Sequence, residues 1–171
     1  SKDTATSAQV MGSGTINLQD NASLNLAANV QNIENALVLN NESTLNLSNN
    51  KAQTTKLGKL DLQANSNMVI DFDIKDMKTD ELAFNDKADV TTNNHFLCIS
   101  PNAMHAKTAI TGEKYTVPFI RAELNNENLA SAIRFTDTVL HTPIFKYGLR
   151  FDNNSGSFML ARGNDYRSYN S

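Results

Sequence analysis

Apolar and polar residues alternate in a series of short runs over the first hundred residues of the chain. The alternation is clearest in three runs within residues 60–84, where apolar side chains occupy every second position: residues 60–62, 68–74 and 82–84. A period of two places these side chains on one face of a β-strand, whereas a helix requires a period near 3.6. The pattern therefore predicts short strands in series, each with one buried face.

These runs recur at nearly constant distances. Two independent series of apolar pairs share successive intervals of 21, 23 and 22 residues. The first series is Ile16/Leu18, Leu37/Leu39, Leu60/Leu62 and Leu82/Phe84, and the second is Leu24/Leu26, Leu45/Leu47, Met68/Ile70 and Val90/Thr92. A repeat of this length cannot bury its inner face alone, but stacked copies pair every strand with its copies above and below.

The sequence thus predicts an all-β fold, with a parallel β-helix (a single-stranded β-solenoid) over residues 15–97. Two core ladders are expected to stack through adjacent coils. One ladder contains Leu18, Leu39, Leu62 and Phe84, and the other contains Leu26, Leu47 and Ile70. The 24 Asn residues are expected in turns, because Asn tolerates a left-handed backbone and hydrogen-bonds its own main chain.

The repeat ends after Asn94, and the strands that follow are spaced differently. Residues 114–120 are predicted to form one strand, with Pro118 at a sheet edge because proline cannot donate to a ladder. Residues 123–135 are predicted to hold a short helix. Residues 145–151 and 157–161 alternate on either side of the turn sequence DNNSG and are predicted to form a hairpin.

The aromatic face of this hairpin is suited to cover the open end of the stacked coils, over Phe84, Val90 and Leu97. Residues 98–161 are therefore assigned to a cap, residues 1–14 to a flexible lead-in and residues 162–171 to a polar tail. The residues expected to build the cap are Tyr115, Phe145, Tyr147, Leu149, Phe151, Phe158 and Leu160.

The charge balance argues against a polyanionic partner. The chain has 15 basic and 18 acidic residues and a net charge of −3, so no nucleic acid is expected to bind it. Cys98 is the single cysteine, which excludes an intramolecular disulfide framework. No run approaches the roughly 18 apolar residues of a transmembrane helix, and the first residues lack a signal-peptide core. We therefore expect a processed or excised piece of a longer protein.

Residues 60–84 contain LDLQANSNMVIDFDI followed by TDELAF, with a D-x-L element at Asp80-Glu81-Leu82. This arrangement resembles the C-terminal part of the passenger of classical (type V) autotransporters. The downstream sequences GEKYTV, FKYGL and FML resemble the capping module of that family, called the autochaperone or pertactin-like region. The resemblance covers residues 15–161, and it departs from the family at Phe158, where many relatives have Trp.

The resemblance implies a right-handed β-helix and a virulence factor that is secreted or displayed on the surface of a Gram-negative bacterium. The fragment would then be a non-catalytic stalk and autochaperone that promotes passenger folding and secretion across the outer membrane. Its partners would be its own upstream coils and a C-terminal outer-membrane β-barrel. Two alternatives stay open: an adhesin that binds host glycan, matrix or a like passenger, and the stalk of a serine protease autotransporter.

Catalytic motifs are weak in this sequence. A serine protease of this family needs a G-D-S-G-type motif, and only Gly12-Ser13-Gly14 and Ser155-Gly156 come near it, both without the preceding Asp. A polysaccharide-lyase-like enzyme would need a basic residue among Asp71, Asp73 and their equivalents in the other repeats, which the sequence does not supply. No catalytic residue and no cofactor are therefore predicted.

His95, Cys98 and His105 have side chains that bind zinc, but a structural site needs four ligands and alternation places His95 and Cys98 on opposite faces. We therefore predict a buried Cys98, surface histidines and no metal site. Calcium is the other candidate, because six aspartates lie close together, at Asp71, Asp73, Asp76, Asp80, Asp86 and Asp89. The known calcium-binding loop motifs are missing, so Asp71 and Asp73 are predicted to be solvated charges on the outer face.

Overall fold

The computed structural model describes residues 4–6, 14–26, 32–63, 65–84, 88–90, 95–100, 107–121, 124–125, 133–152 and 155–163. The regular secondary structure of these residues consists of strands, so the prediction of an all-β fold is confirmed. The same residues contain no helix that could cross a membrane.

The strands are short and follow one another closely along the chain. Their bounds are β1 Thr4–Thr6, β2 Thr15–Leu18, β3 Ser23–Asn25, β4 Asn32–Leu39, β5 Thr44–Asn46, β6 Thr54–Leu62, β7 Asn67–Ile70, β8 Phe72–Asp73, β9 Lys78–Thr79, β10 Glu81–Phe84, β11 Ala88–Val90, β12 His95–Ile99, β13 Lys114–Pro118, β14 Ile120–Arg121, β15 Leu124–Asn125, β16 Ile133–Phe135, β17 Val139–His141, β18 Lys146–Asp152 and β19 Ser157–Arg162.

The first parallel sheet has the strand order β1-β3-β5-β7-β12-β16, and each neighbouring pair is parallel. Leu24 pairs with Leu45, and Leu45 pairs with Met68. The next partner of Met68 is Leu97. Because partners lie 19 to 38 residues apart along the chain, this sheet is built from strands that recur once per repeat.

The second parallel sheet is formed by the strands that precede those of the first sheet in each repeat: β2, β4, β6, β10 with β11, and β14 with β15. Leu18 pairs with Leu39, and Leu39 pairs with Leu62, so three members of the first ladder lie on adjacent strands. All three are buried. The long strand β6 pairs with β10 through its first residues and with β11 through its last.

The predicted ladders lose their register in the fourth repeat. Phe84 pairs with Leu57, and the partner of Leu62 is Val90. Placing Phe84 above Leu62, and Val90 in the second ladder, was therefore wrong. The cause is an insertion after β7, where β8 and β9 form a small antiparallel hairpin that lengthens the repeat. Uniform spacing cannot reveal such an insertion.

A separate four-stranded antiparallel sheet, which we call the cap sheet, has the order β13-β19-β18-β17. The predicted hairpin is confirmed as β18 and β19, with Leu149 opposite Leu160 and Phe151 opposite Phe158. Strand β13 lies at the edge of this sheet, as Pro118 indicated. The edge strand is shorter than predicted, because the chain leaves the cap sheet after Pro118 and β14 joins the second parallel sheet instead.

The short helix predicted within residues 123–135 is wrong for the described part of that segment. Leu124–Asn125 forms β15 and pairs with β11, and Ile133–Phe135 forms β16 and pairs with β12. The open edges of β11 and β12 offer unpaired backbone groups, so tertiary pairing outweighs the local helical preference. Parallel pairing thus continues beyond residue 97, where the sequence placed the start of the cap.

The ends of the chain also depart from expectation. Thr4–Thr6 pairs in parallel with β3, although residues 1–14 were predicted to be a flexible lead-in. Arg162 still belongs to β19, and the amide of Gly163 donates to the carbonyl of Lys146 at 3.3 Å. The rest of the predicted polar tail, residues 164–171, lies outside the described residues.

Asparagine occupies left-handed turns, as predicted. Asn21, Asn41, Asn50 and Asn65 all have positive φ. The turn of one repeat stacks on the next, because the Asn41 amide side chain donates to the Asp20 carboxylate and the Asn21 amide donates to the Asn41 carbonyl. These bonds hold neighbouring repeats in register at their corners.

Candidate functional site

The junction between the cap sheet and the parallel strands is the candidate functional site, and Phe158 lies at its centre. The Phe158 ring packs edge-to-face against Phe72 at 5.5 Å and against Phe135 at 5.2 Å between centroids. Phe72 belongs to the inserted hairpin and Phe135 to the last strand of the first sheet. One cap side chain therefore contacts both the inserted hairpin and the parallel stack, in a geometry that aromatic rings favour.

The opposite end of the cap hairpin is anchored by Tyr147. This side chain is fully buried, and its hydroxyl donates to the Gly112 carbonyl at 2.7 Å. Its ring meets Tyr115 edge-on at 5.9 Å, and the Tyr115 hydroxyl accepts a hydrogen bond from the Gly112 amide at 2.7 Å. The two tyrosines thus fasten the segment before β13 to the hairpin.

The remaining predicted cap residues divide by burial. Leu149, Phe151 and Leu160 are buried in the common core. Phe145 is half-buried, and the Arg162 guanidinium lies over its ring at 4.4 Å. Phe158 covers Phe72 and Phe135. The cap was also predicted to cover Phe84 and Val90, but the side chains of these two residues are not among those that the structure describes.

A turn of the hairpin ties the cap to the second parallel sheet. The Gly156 carbonyl accepts hydrogen bonds from the amides of Phe119 at 3.2 Å and Ile120 at 2.8 Å. The Phe119 carbonyl in turn accepts from the Leu82 amide at 2.7 Å. Residues 119–120 are therefore the point at which the chain crosses from the cap sheet to the parallel stack.

Asp71 corrects a prediction, because its side chain is fully buried instead of solvated. Its carboxylate accepts hydrogen bonds from the Ser48 hydroxyl at 3.0 Å and from the amides of Asn49 at 2.6 Å and Lys51 at 3.3 Å. The alternation fails here because β7 ends at Ile70, so the backbone bends and Asp71 turns inward. Asp73, the other predicted surface charge, is half-buried.

Asp80 is the second buried carboxyl of this region, with 1% of its surface exposed. It accepts hydrogen bonds from the amides of Gln53 at 3.1 Å and Asp71 at 2.7 Å. Burial raises the pKa of Asp80 to about 7, the charge of Asp71 adds to the rise, and the two amide donors oppose it. In the described part of the chain, neither Asp71 nor Asp80 has an ion-pair partner.

A cleft of about 650 Å³ has Thr79 and Glu81, the two chain neighbours of Asp80, among its lining residues. Residues 51–54 line one side, residues 76–79 and Glu81 line the other, and Pro118 of the cap closes one end. The cleft therefore lies where the stack, the inserted hairpin and the cap meet. Its charged side chains are two lysines and two carboxylates, which gives it no dominant sign.

The zinc candidates have the reverse of the burial that was predicted. His95 is fully buried, with its Nδ1 2.7 Å from the Ser66 hydroxyl, whereas Cys98 is only half-buried. His95 faces inward because strand register places it above Ser66 of the preceding repeat. His105 lies outside the described residues. Within the described segments, no three His, Cys, Asp or Glu side chains are grouped so that they could hold a metal ion.

Of the two serine motifs considered as catalytic candidates, the structure describes the one at Ser155-Gly156, and there it shows a turn hydrogen bond instead of a catalytic triad. Ser155 donates its hydroxyl to Asp152 at 2.8 Å, which closes the hairpin turn. Both side chains are polar turn residues. Gly12 and Ser13 are not among the described residues.

Sequence reasoning missed the inserted hairpin and the buried pair at its base. One signal could have found them, because Phe72 has Asp71 and Asp73 as direct neighbours and Asp80 follows nine residues after Asp71. Two carboxyls that flank a short segment with an apolar centre are compatible with a loop closed at its base. Alternation alone assigned Asp71 to the surface and made no assignment for Asp80.

The comparisons with known proteins supply no family for this chain. No protein-family model matches it, and no curated protein matches it at a significant level. The functional argument therefore depends on the sequence resemblance and on the junction described above.

Proposed function

We propose that this chain is the C-terminal stalk and autochaperone-like cap of an autotransporter passenger, with the parallel sheets wound as a right-handed β-helix. In this role it folds first, templates the folding of upstream coils and promotes secretion across the outer membrane. The fragment itself is non-catalytic. The passenger is displayed on, or released from, the surface of a Gram-negative bacterium.

The path of the chain supports the β-helix. Apart from the β8–β9 hairpin and the cap strand β13, the chain alternates between the second and the first parallel sheet from β2 to β16, and each return adds a strand beside the previous one. Buried leucines such as Leu39 and Leu45 from both sheets belong to one common core. Two parallel sheets that share a core and are visited alternately are the geometry of a coil.

The junction at Phe158 is the observation that carries the proposal. A stack of parallel strands ends in unpaired backbone and an exposed core, which invites aggregation unless something covers it. Here the cap sheet places Phe158 against Phe72 and Phe135, and β14 continues the second sheet from within the cap segment. The cap is therefore both a cover and an extension of the stack.

An export assay tests the proposal. The chain is placed between a signal peptide and the outer-membrane barrel of a characterised autotransporter, in a Gram-negative host. The intact chain is expected to reach the surface, where added protease cleaves it in whole cells. A variant without residues 139–162, which lacks β17, β18 and β19, is expected to remain in the periplasm and to be degraded there.

Point variants separate the role of the cap from the effect of a deletion. Phe158→Ala removes the ring between Phe72 and Phe135 and should reduce the surface-exposed fraction. Arg150→Ala changes an exposed side chain on the neighbouring strand and should leave it unchanged. If the chain without residues 139–162 reaches the surface as well as the intact chain does, the proposed role in secretion is wrong.

A further inference from the structure

The inserted β8–β9 hairpin occupies a position between the stack and the cap. Phe72 at its start is fully buried and packs against Phe158 of the cap. Residues 76–79, from its turn and its second strand, share the cleft with Pro118 of the edge strand β13. Any change that loosens this hairpin therefore acts on the contact between the two parts of the molecule.

Asp71 and Asp80 close the base of the hairpin from its two ends. The Asp71 amide donates to the Asp80 carboxyl at 2.7 Å, and the Asp80 amide donates to the Asp71 carbonyl at 3.1 Å. The Thr79 hydroxyl donates to the same carbonyl at 2.7 Å. The hairpin is thus held by a ring of bonds in which both acidic residues take part.

The same two carboxyls fasten the hairpin to the preceding repeat. Asp71 accepts from the amides of Asn49 and Lys51, and Asp80 accepts from the amide of Gln53. Every one of these donors is a neutral backbone group. The site therefore holds two acidic side chains, taken out of water, whose partners do not include a cation.

The charged groups of the surrounding elements do not neutralise the negative charges of Asp71 and Asp80. Residues 48–53 contribute Lys51, the hairpin contributes Asp73, Lys75, Asp76 and Lys78, β10 contributes Glu81, and the cap contributes the uncharged Pro118 to the adjoining cleft. Positive and negative charges are equal in number in this set. Two like charges buried together are costly, because neither solvent nor a counter-ion lowers their repulsion.

We propose that Asp71 and Asp80 form a pH-responsive latch, which holds the β8–β9 hairpin and its Phe72 against the cap when the pair carries a proton and loosens when both carboxyls are ionised. Burial and the neighbouring charge of Asp71 both favour the neutral form of Asp80, so Asp80 is the member of the pair that takes up the proton. This inference concerns the coupling of stack and cap and does not rest on a role in secretion.

The direction of the pH effect follows from linkage. Folding raises the pKa of Asp80 from 3.8 to about 7, so the closed latch binds a proton that the open form releases. The stabilisation is complete below pH 3.8 and is lost as the pH rises through about 7. Above that pH the stability of the closed latch no longer changes with pH. Across that window the equilibrium constant for opening should rise by up to about a thousandfold.

Hydrogen–deuterium exchange of the full chain measures the opening locally. After correction for the intrinsic pH dependence of exchange, amides of residues 71–81 should lose protection between pH 5 and pH 7.5. Asp80→Asn removes the titrating group and should abolish that dependence. Asp76→Asn removes an exposed carboxylate of the same hairpin turn and should keep it.

Carbon-13 NMR of the aspartate carboxyl groups in the unmodified chain supplies a second measurement, which decides the matter if Asp80→Asn does not fold. One buried aspartate, assigned to Asp80, should titrate near pH 7. The latch is refuted if every aspartate titrates below pH 5. It is equally refuted if Asp80→Asn retains the pH dependence of protection over residues 71–81.

Discussion

The parallel stack and the cap sheet use the same alternation of apolar and polar residues but pair their strands in opposite ways. In the stack, partners such as Leu18 and Leu39 or Met68 and Leu97 lie a whole repeat apart. In the cap hairpin, Phe151 pairs with Phe158 across one short turn. Alternation decides which face is buried, whereas the length of the connection decides whether pairing is local.

This difference has a kinetic consequence. Distant partners must meet against the entropy of a long closed loop before any contact compensates it, whereas a hairpin closes within a few residues. The cap hairpin also presents Phe158 to both Phe72 and Phe135, so it offers a surface on which distant strands can gather. We therefore expect the cap to form early and the stack to grow from it.

Deletion of either end gives the largest expected effect. Removing residues 145–161 should leave the remaining chain slow to refold and prone to aggregate, whereas removing residues 1–39 should leave a chain that still folds cooperatively. Refolding from urea, followed by circular dichroism and light scattering, compares the two. If the loss of residues 1–39 is the more damaging, the cap is only a passive cover.

Phe158→Ala should be the most damaging single substitution in the cap. It leaves a cavity between Phe72 and Phe135, and such aromatic truncations cost about 3 to 5 kcal/mol. If the cap forms early, most of this loss should appear as slower folding in stopped-flow refolding. Met159→Ala alters a half-buried neighbour on the same strand and serves as the control, with a smaller loss of stability.

Leu62→Ala tests the stack in the same way. Leu62 is fully buried, and its strand pairs at this position with Leu39 on one side and Val90 on the other, so its truncation should cost about 2 to 5 kcal/mol in a urea titration. If its partners assemble after the cap, the substitution should mainly accelerate unfolding and change the refolding rate little. A refolding rate reduced as much as by Phe158→Ala would show that stack and cap form together.

Much of the fold could be predicted from the sequence where pairing repeats without interruption. The interval of 21 to 23 residues aligned Leu18 with Leu39 and Leu62, and the structure pairs them so. Alternation around a short polar turn also predicted the hairpin that contains Phe158. Both patterns are local or strictly periodic, which is the information that a single sequence carries well.

The junction could not be predicted in this way, because it depends on an insertion and on distant partners. The β8–β9 hairpin shifted Phe84 away from Leu62, and the bend after Ile70 buried Asp71. The described parts of residues 123–135, where a short helix was expected, are strands because open strand edges were available there. The candidate site is thus the part of the molecule where local patterns give way to tertiary contacts.

Two cap glycines provide the smallest and sharpest comparison between the junction and the rest of the cap sheet. Gly156 has φ of +69°, and a Cβ there would lie 2.5 Å from the backbone carbonyl oxygen of Ile120. Gly156→Ala therefore combines backbone strain with a clash at the crossing point into the second parallel sheet, at a cost of about 1 to 3 kcal/mol.

Gly148→Ala is the matched control, because a Cβ there would meet only the Ala161 carbonyl oxygen at an ordinary 3.8 Å. Urea midpoints should fall for Gly156→Ala and stay within the error for Gly148→Ala. Equal midpoints for the two variants would show that the bonds from Phe119 and Ile120 to Gly156 do not hold the cap to the stack.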